Sequence, residues 1–477
     1  MGDFACFYEG NSCKKGRQPT IRIQACCNHR GVVLQLLTLT SIDLSMSRLF
    51  ISHSRERFAK CIALSFLFPL LCIVSIAQAQ DAIRPSLAGE SSSEARRQDI
   101  EQIPYNLLVG PVRFRLSATM GVEYNDNINL SETNQQSDII LRPQMNFDAS
   151  WPLTQLNTLK MDIGLGYSFY LDHSSANTNG VLISPGSQLS FDIFIGDFRI
   201  NIHERPSLQQ DPIAELQLSN VVDYGRFENT AGVSVLWDLN KALLTVGYDH
   251  YIYVSTVSDF DYLNRNAEEI SESLSIAVAS NTSVGLEGSS VFTYYDQHLL
   301  NDSDTYSIGA FVESQLTNYL KVRGAAGYQW INSDRGFVVD AFGTPFADKS
   351  DLSTYYANIL ITHRINATLH QTLSAGHESQ LGVDSNFIML NYIRHTLSWN
   401  VIRNTLLSTE FFYEDANDSG GFIDEHLHRF GGALTVGYQL TPHVTLGGRY
   451  QYTQKDSDVL LRGYDQNRVS VDATYSF

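Results

Sequence analysis

The chain has 477 residues with 51 Asp+Glu against 33 Lys+Arg, a net charge of −18, and such a surface makes nucleic acid a poor partner. All six cysteines (Cys6, Cys13, Cys26, Cys27, Cys61, Cys72) fall in the first 72 residues, so the remainder cannot rely on disulfides and must be held by extensive pairing or a large core. No stretch after residue 80 is apolar for anything near about 18 residues, which excludes helical membrane spans there.

Residues 1–54 precede the first targeting signal, and Met46 is a better start than Met1. This segment is expected to be a non-native upstream extension or disordered. Cys6, Cys13, Cys26 and Cys27 lack paired C-x-x-C spacing and point to no metal site. From residue 55 the layout is that of a secretory signal peptide over 55–79. Arg55, Arg57 and Lys60 form a basic region, "CIALSFLFPLLCIVSI" (Cys61–Ile76) an apolar one, and Ala77 and Ala79 a small-residue cleavage site. Bulky Leu71 before Cys72 argues against a lipid anchor. Residues 1–80 hold nine Lys/Arg and four Asp/Glu, so the remainder keeps 24 basic against 47 acidic residues, close to −23. Residues 80–111 are polar, with Pro, Ser and Gly at both ends, and read as a flexible periplasmic leader.

From residue 112 onward the hydrophobic period is two. "RFRLSATMGVEY" sets Phe114, Leu116, Ala118, Met120, Val122 and Tyr124 on one face against Arg113, Arg115, Ser117, Thr119 and Glu123 on the other. "LKMDIGLGYSFYL" (159–171) and "HVTLGGRYQY" (443–452) repeat the pattern. So does the last segment, "RVSVDATYSF", with Val469, Val471, Ala473, Tyr475 and Phe477 on its apolar face. Successive strand residues point to opposite faces, so each segment is a ribbon with one oily and one wet side.

The connections alternate in length. Short ones at 151–157, 196–197, 239–241, 281–282, 317–319, 364–366, 403–404 and 441–443 are mostly tight-hairpin material. Long polar ones lie near 125–137, 171–186, 207–225, 255–266, 296–303, 332–351, 380–389, 416–424 and 456–463. Eight short and nine long connections join eighteen strands, with sixteen as the alternative count. The predicted fold is therefore all-β: a closed transmembrane antiparallel up-and-down barrel over 112–477, with short periplasmic turns and long extracellular loops. Closure pairs the last strand with the first and leaves no edge. A chain lacking Phe477 is then expected to assemble poorly.

On the wet face the period places Arg113, Arg115, Glu123, Arg142, Asp162, Asp192, Arg199, Asp249, Glu287, Glu313, Arg323, Arg394, Glu410, Arg449, Arg468 and Asp472 toward the lumen. Barrels of this size leave an aqueous lumen, which charges of both signs would line; the plainer reading is that they pair across neighbouring strands and stiffen the wall. Aromatic girdles at the two interfaces are assigned to Tyr124, Phe169, Trp330, Tyr450 and Tyr452 near the loops, and to Trp237, Trp399, Tyr438, Tyr475 and Phe477 near the turns. Acids such as Asp259, Asp261, Asp418, Asp424, Glu425, Asp456 and Asp458 crowd the long connections, where an external rim would bind divalent cations loosely or simply be solvated. No cofactor is implied. "HLHRF" (His426–Phe430) and the pair His363 and His370 show no metal-site spacing, and no nucleophile motif points to an enzyme.

The run "LSATMGVEYNDNINL" (Leu116–Leu130), in which Tyr124 is followed by Asn125, Asp126 and Asn127, resembles the opening strand and loop of the putative beta-barrel porin 2 family. The resemblance implies a porin-like Gram-negative outer-membrane barrel over 113–477, some members of that family lying beside surface-polysaccharide genes. It carries over no catalytic or ligand residues, and the upstream extension departs from it. The expected function is passive diffusion of small hydrophilic solutes or ions, narrowed by an inward loop at 207–225 or 332–351. The alternative is a structural or export-partner barrel linked to polysaccharide secretion. Expected partners are outer-membrane lipid and lipopolysaccharide, the insertion machinery through the C-terminal strand, and polysaccharide export components. No feature of the sequence decides for the homotrimer common among porins.

Overall fold

The computed structural model describes residues 105–477 apart from 298, 335–336, 340–344, 348–350, 403 and 421–423. The upstream extension, the signal peptide with Ala77 and Ala79, and most of the leader lie outside the described residues. Eighteen long strands, from Val112–Asn125 to Tyr464–Ser476, pair antiparallel with their neighbours in sequence. The last closes on the first, from Ser117 opposite Ser476 to Asn125 opposite Arg468. No helix among the described residues is long and apolar enough to cross a membrane.

The turns form where the sequence supplies residues that tolerate a left-handed backbone. Gly196 (φ 58°), Asn240 (φ 68°) and Asn404 (φ 69°) occupy three of the short connections, and glycine and asparagine meet that requirement at least cost. The strand expected over 159–171 is split. Thr158–Gly166 breaks for two residues and resumes as Phe169–Tyr170 in unchanged register against Ile140 and Leu141. Its neighbour, Leu182–Ile183 followed by Gln188–Ile195, bulges between the two pieces. Gly164 lies under that bulge, donates its N–H to Ser187 Oγ at 3.2 Å, and has no room for a Cβ beside Ser184.

The leader is not irregular to its end. Leu107–Val109 folds back over Gly110 (φ 59°) and pairs with Val112–Phe114. The cause is the stagger of the closure: the last strand reaches the first only from Ser117 upward, so the lower edge of the first strand needs another cover. The side chain of Asn106 extends the cover by bonding both the N–H and the carbonyl of Leu116.

At this same end of the closure, Phe477 donates its N–H to Leu116 O at 3.2 Å, and its ring sits edge-on to Tyr475 with centroids 5.1 Å apart. Phe477→Ala is expected to lower the heat-modifiable folded fraction several-fold on refolding into lipid. Wild-type yield would show that this contact does not help the barrel close.

The apolar core inside the wall gathers toward the long-loop end, in three clusters. Leu218, Tyr224, Tyr251, Tyr253, Phe260, Leu263, Leu300 and Val383 form the largest. Leu216 packs with Ile388, Leu390, Ala416 and Leu427. Ile128, Ile140, Tyr170 and Ala176 pack with Val222. Each cluster contains a residue of the connection 210–225, and full burial of such a side chain stabilises by about 1.5–3 kcal/mol. Inner-face positions that period alone assigns to water, such as Tyr253, Ile388 and Leu427, are apolar there because folded-in loops cover them.

Candidate functional site

The connection 210–225 leaves the strand Phe198–Gln209 and returns in Arg226–Asp238, the fifth and sixth of the wall. It turns inward at once. Asp211 Oδ1 accepts the N–H of Ile213 at 3.2 Å and Pro212 opens the 3-10 turn Pro212–Ala214, a capped start that fixes the exit angle. Its ends are tied together by Tyr224 N–H donating to Gln210 O at 3.0 Å.

Ile213, Gln217, Ser219 and Asn220 between those ends reach the opposite wall. Gln217, fully buried, donates from Nε2 to Ser385 Oγ (2.9 Å) and to Asp418, and its Oε1 accepts the N–H of Val383. Its carbonyl accepts from Lys455 Nζ (2.9 Å) and Arg462 Nη2 (2.6 Å). Lys455 in turn pairs with Glu425 at 3.0 Å, both side chains having no exposed surface, and Arg462 pairs with Asp384 at 2.6 Å. Ser219 and Asn220 bond the carbonyls of Arg462 and Leu461, and Ile213 O accepts from Arg429 Nη1 at 2.8 Å. These partners lie on strands fifteen to seventeen or on the loops between thirteen and eighteen. In a ring of eighteen, a loop leaving between five and six that is fastened there crosses the lumen.

The loop's own acids are held differently. Asp211 lies 2.9 Å from Arg468 Nη1. Burial works to raise its pKa, but Arg468 and Arg142 outweigh burial and hold the carboxyl below the usual carboxylate range. This anchor is therefore complete at neutral pH and is lost only as the pH falls through that lowered value. Burial pushes Glu215 above its ordinary value, further than Arg226 offsets. Its contribution has the opposite sign, present below its ordinary pKa and lost as the pH rises through the raised one.

The sixteen charged residues assigned to the lumen by period share one parity along their strands, and most of them pair with neighbours of opposite charge. Arg115 pairs with Asp148 (2.8 Å), Arg199 with Asp192 (3.0 Å), Arg323 with Glu287 (2.8 Å), Lys321 with Glu313 (3.3 Å), Arg394 with Glu414 (2.7 Å) and Arg449 with Glu410 (2.8 Å). Glu123 is shared by Arg142 and Arg468, and Asp249 lies 2.7 Å from His203 Nε2. Arg113 lies over the Tyr105 ring, Asp162 stands opposite Asp148, and Asp472 opposite Gly121 and Gly447. The girdle residues Tyr124, Phe169, Trp237, Trp330, Trp399, Tyr438, Tyr450, Tyr475 and Phe477 are exposed on the outer face, which Tyr452 shares opposite Gly432.

Two acids expected on the external rim are inside instead. Asp418 and Glu425 are buried because Gln217, Lys455 and Arg462 draw them in. Of the two connections expected to narrow the lumen, 210–225 does cross it. Within 332–351 a short hairpin pairs Phe337–Val339 with Pro345–Ala347, and ten of the connection's residues lie outside the described ones. Reading the sequence missed Lys455, although it keeps the parity of Arg449 on the strand Val444–Ser457. It also missed Arg226, Arg265 and Arg429, which continue the inner parity to the strand ends. Nothing in the sequence marks Gln217.

Residues 108–477 match the family described as putative beta-barrel porin 2. No curated protein matches the chain. Similar solved structures include OpdK of Pseudomonas aeruginosa with vanillate (10% identity, 76% of this chain and 99% of that one, TM-score 0.42). A BenF-like porin of Pseudomonas fluorescens Pf-5 is 11% identical over 76% of this chain and 99% of that one, with TM-score 0.44. OccK2 (OpdF) of Pseudomonas aeruginosa in complex with glucuronate is 10% identical over 77% and 98%, with TM-score 0.45.

Proposed function

This chain belongs to the putative beta-barrel porin 2 family, and we propose that it is a passive pore for small hydrophilic solutes or ions whose width is set by residues 210–225. It is a β-barrel of the Gram-negative outer membrane. The observation that carries the proposal is the fastening of that loop, through Gln217, to the wall across the lumen. A loop held at both sides narrows the path permanently, without needing a lid that moves.

The charge pattern supports weak selection among solutes. Each basic group that pairs with an acid a few ångströms away leaves a local dipole, whose field falls off faster than that of a lone charge. The wall then offers polar partners for hydrated solutes without a strong net field of either sign. The net acidity lies mostly in the loops, where it favours cations at the entrance.

Planar-bilayer recording tests this. Protein extracted from outer membranes is expected to give steady single channels, with a reversal potential in a salt gradient showing a modest cation preference. A folded barrel that stays silent would overturn the pore. A second reading, a barrel closed until an export partner docks at the turn side, draws on the apolar clusters that fill the long-loop end; that silence would favour it.

A further inference from the structure

On the outer face of the barrel, away from the lumen, three metal-ligating side chains converge. His426 and His428 stand two apart on the strand His426–Gln439, so strand geometry puts both on one face. The neighbouring strand sets Asp415 directly opposite His428. Asp415 Oδ1 lies 3.0 Å from His426 Nε2 and 3.2 Å from His428 Nδ1, and all the donor atoms fall within 4.8 Å of one another. We propose that Asp415, His426 and His428 form a binding site for a divalent transition metal of the zinc type at the outer, long-loop rim of the barrel.

Three features of the geometry point there. Bonds of about 2.0–2.1 Å to a tetrahedral zinc place neighbouring ligand atoms about 3.3 Å apart, close to both observed separations. One carboxylate oxygen faces a ring nitrogen of each histidine, with Tyr413 Oη 3.3 Å from His428 Nδ1. A metal at the centre of the three would bind the lone pair of each of those nitrogens, the ring proton sitting on the other nitrogen. The remaining carboxylate oxygen is already held, because Asn391 Nδ2 donates to Asp415 Oδ2 at 3.2 Å and Asn391 is itself bonded to His377. Such outer partners orient metal ligands and tune their affinity.

The chemical class follows from the donor set. Two imidazoles and one carboxylate suit zinc, copper or nickel, whereas calcium and magnesium take oxygen ligands. Three protein ligands leave a coordination position for an outside group. The site lies beyond the aromatic level, since on the same outer face the next positions toward the turns are Tyr413 and Phe430. A metal there would stand where the headgroups of the outer leaflet begin, with its side chains open to solvent. The absence of helical or finger-type spacing in "HLHRF" does not count against this, because on a strand the one-residue gap of H-x-H brings both rings to one face.

The test uses protein extracted from outer membranes, stripped with a chelator and titrated with Zn²⁺ by calorimetry. Wild-type protein is expected to bind Zn²⁺ stoichiometrically. The double variant His426→Ala/His428→Ala should lose that binding while keeping its heat-modifiable folded band, and Asn391→Ala should weaken it by roughly 10–100-fold. Should the double variant not fold, Asp415→Asn, which conserves side-chain shape, is read in its place. Wild-type protein that takes up no Zn²⁺, or a folded histidine-free variant that binds as wild type does, would overturn the site. So would Ca²⁺ competing equally with Zn²⁺ for it, since that outcome belongs to a diffuse acidic rim.

Discussion

Replacing residues 212–223 by a short Gly-Ser linker is expected to raise single-channel conductance several-fold. The ends of the excised segment already meet, since Tyr224 bonds Gln210, so a short linker closes the gap without straining the wall. The wall itself does not depend on the segment: the ladder between Phe198–Gln209 and Arg226–Asp238 runs unbroken to its last pair, Gln209 opposite Arg226. The excision removes Gln217 from its partners and opens the lumen along the line from strands five and six to the far side. It also uncovers apolar inner positions such as Tyr253, Ile388 and Leu390, which lowers stability. Folded yield by heat-modifiability and conductance in a planar bilayer are therefore measured together. A folded variant with wild-type conductance would mean that another connection sets the width. Gln217→Ala is a milder version, leaving buried partners at Asp418 and Val383 unsatisfied at about 1–3 kcal/mol each.

The second large effect is expected from Glu425→Gln. Glu425 Oε1 stands 3.0 Å from Lys455 Nζ, with both side chains wholly buried, and Oε2 stands 3.0 Å from Arg462 Nε. Removing that charge takes the paired carboxylate from the buried Lys455, while Arg462 keeps Asp384 at 2.6 Å, and breaking one partner of a buried pair costs about 3–5 kcal/mol. The cost falls on the loops rather than on the wall, because Lys455 and Arg462 are the groups that hold the carbonyl of Gln217. Hydrogen exchange of amides in 210–225 should accelerate by more than about a hundredfold, each 1.4 kcal/mol being tenfold. The far strands should keep their protection. Adding Lys455→Met should recover much of the loss, since a matched apolar replacement removes the stranded charge. Unchanged exchange in the single variant would show that the pair does not hold the loop.

The period of two was enough to read the barrel. Along Val112–Asn125, Val444–Ser457 and Tyr464–Ser476 each side chain's face follows from its parity, because a strand offers only two directions and one of them meets lipid. Turn chemistry was equally local: Gly196, Asn240 and Asn404 carry the left-handed backbone on their own account. Parity also put Arg142 and Arg468 on the same inner face, though which carboxylate they share depends on the pairing register.

The narrowing of the lumen belongs to another class of information. Gln217 meets Ser385 across 168 residues and Lys455 across 238, and no local pattern in 210–225 encodes partners so distant. The same holds for Glu425, acidic and loop-borne in sequence yet buried against Lys455, and for His426 and His428, whose third neighbour, Asp415, comes from the adjoining strand. The sequence by itself determined which residues form strands and which way they face, since both are settled within a few residues by sterics and the lipid boundary. Which polar groups meet inside or on the rim was decided only by closure of the eighteen strands, because closure alone sets the distances across the lumen and between neighbouring ladders.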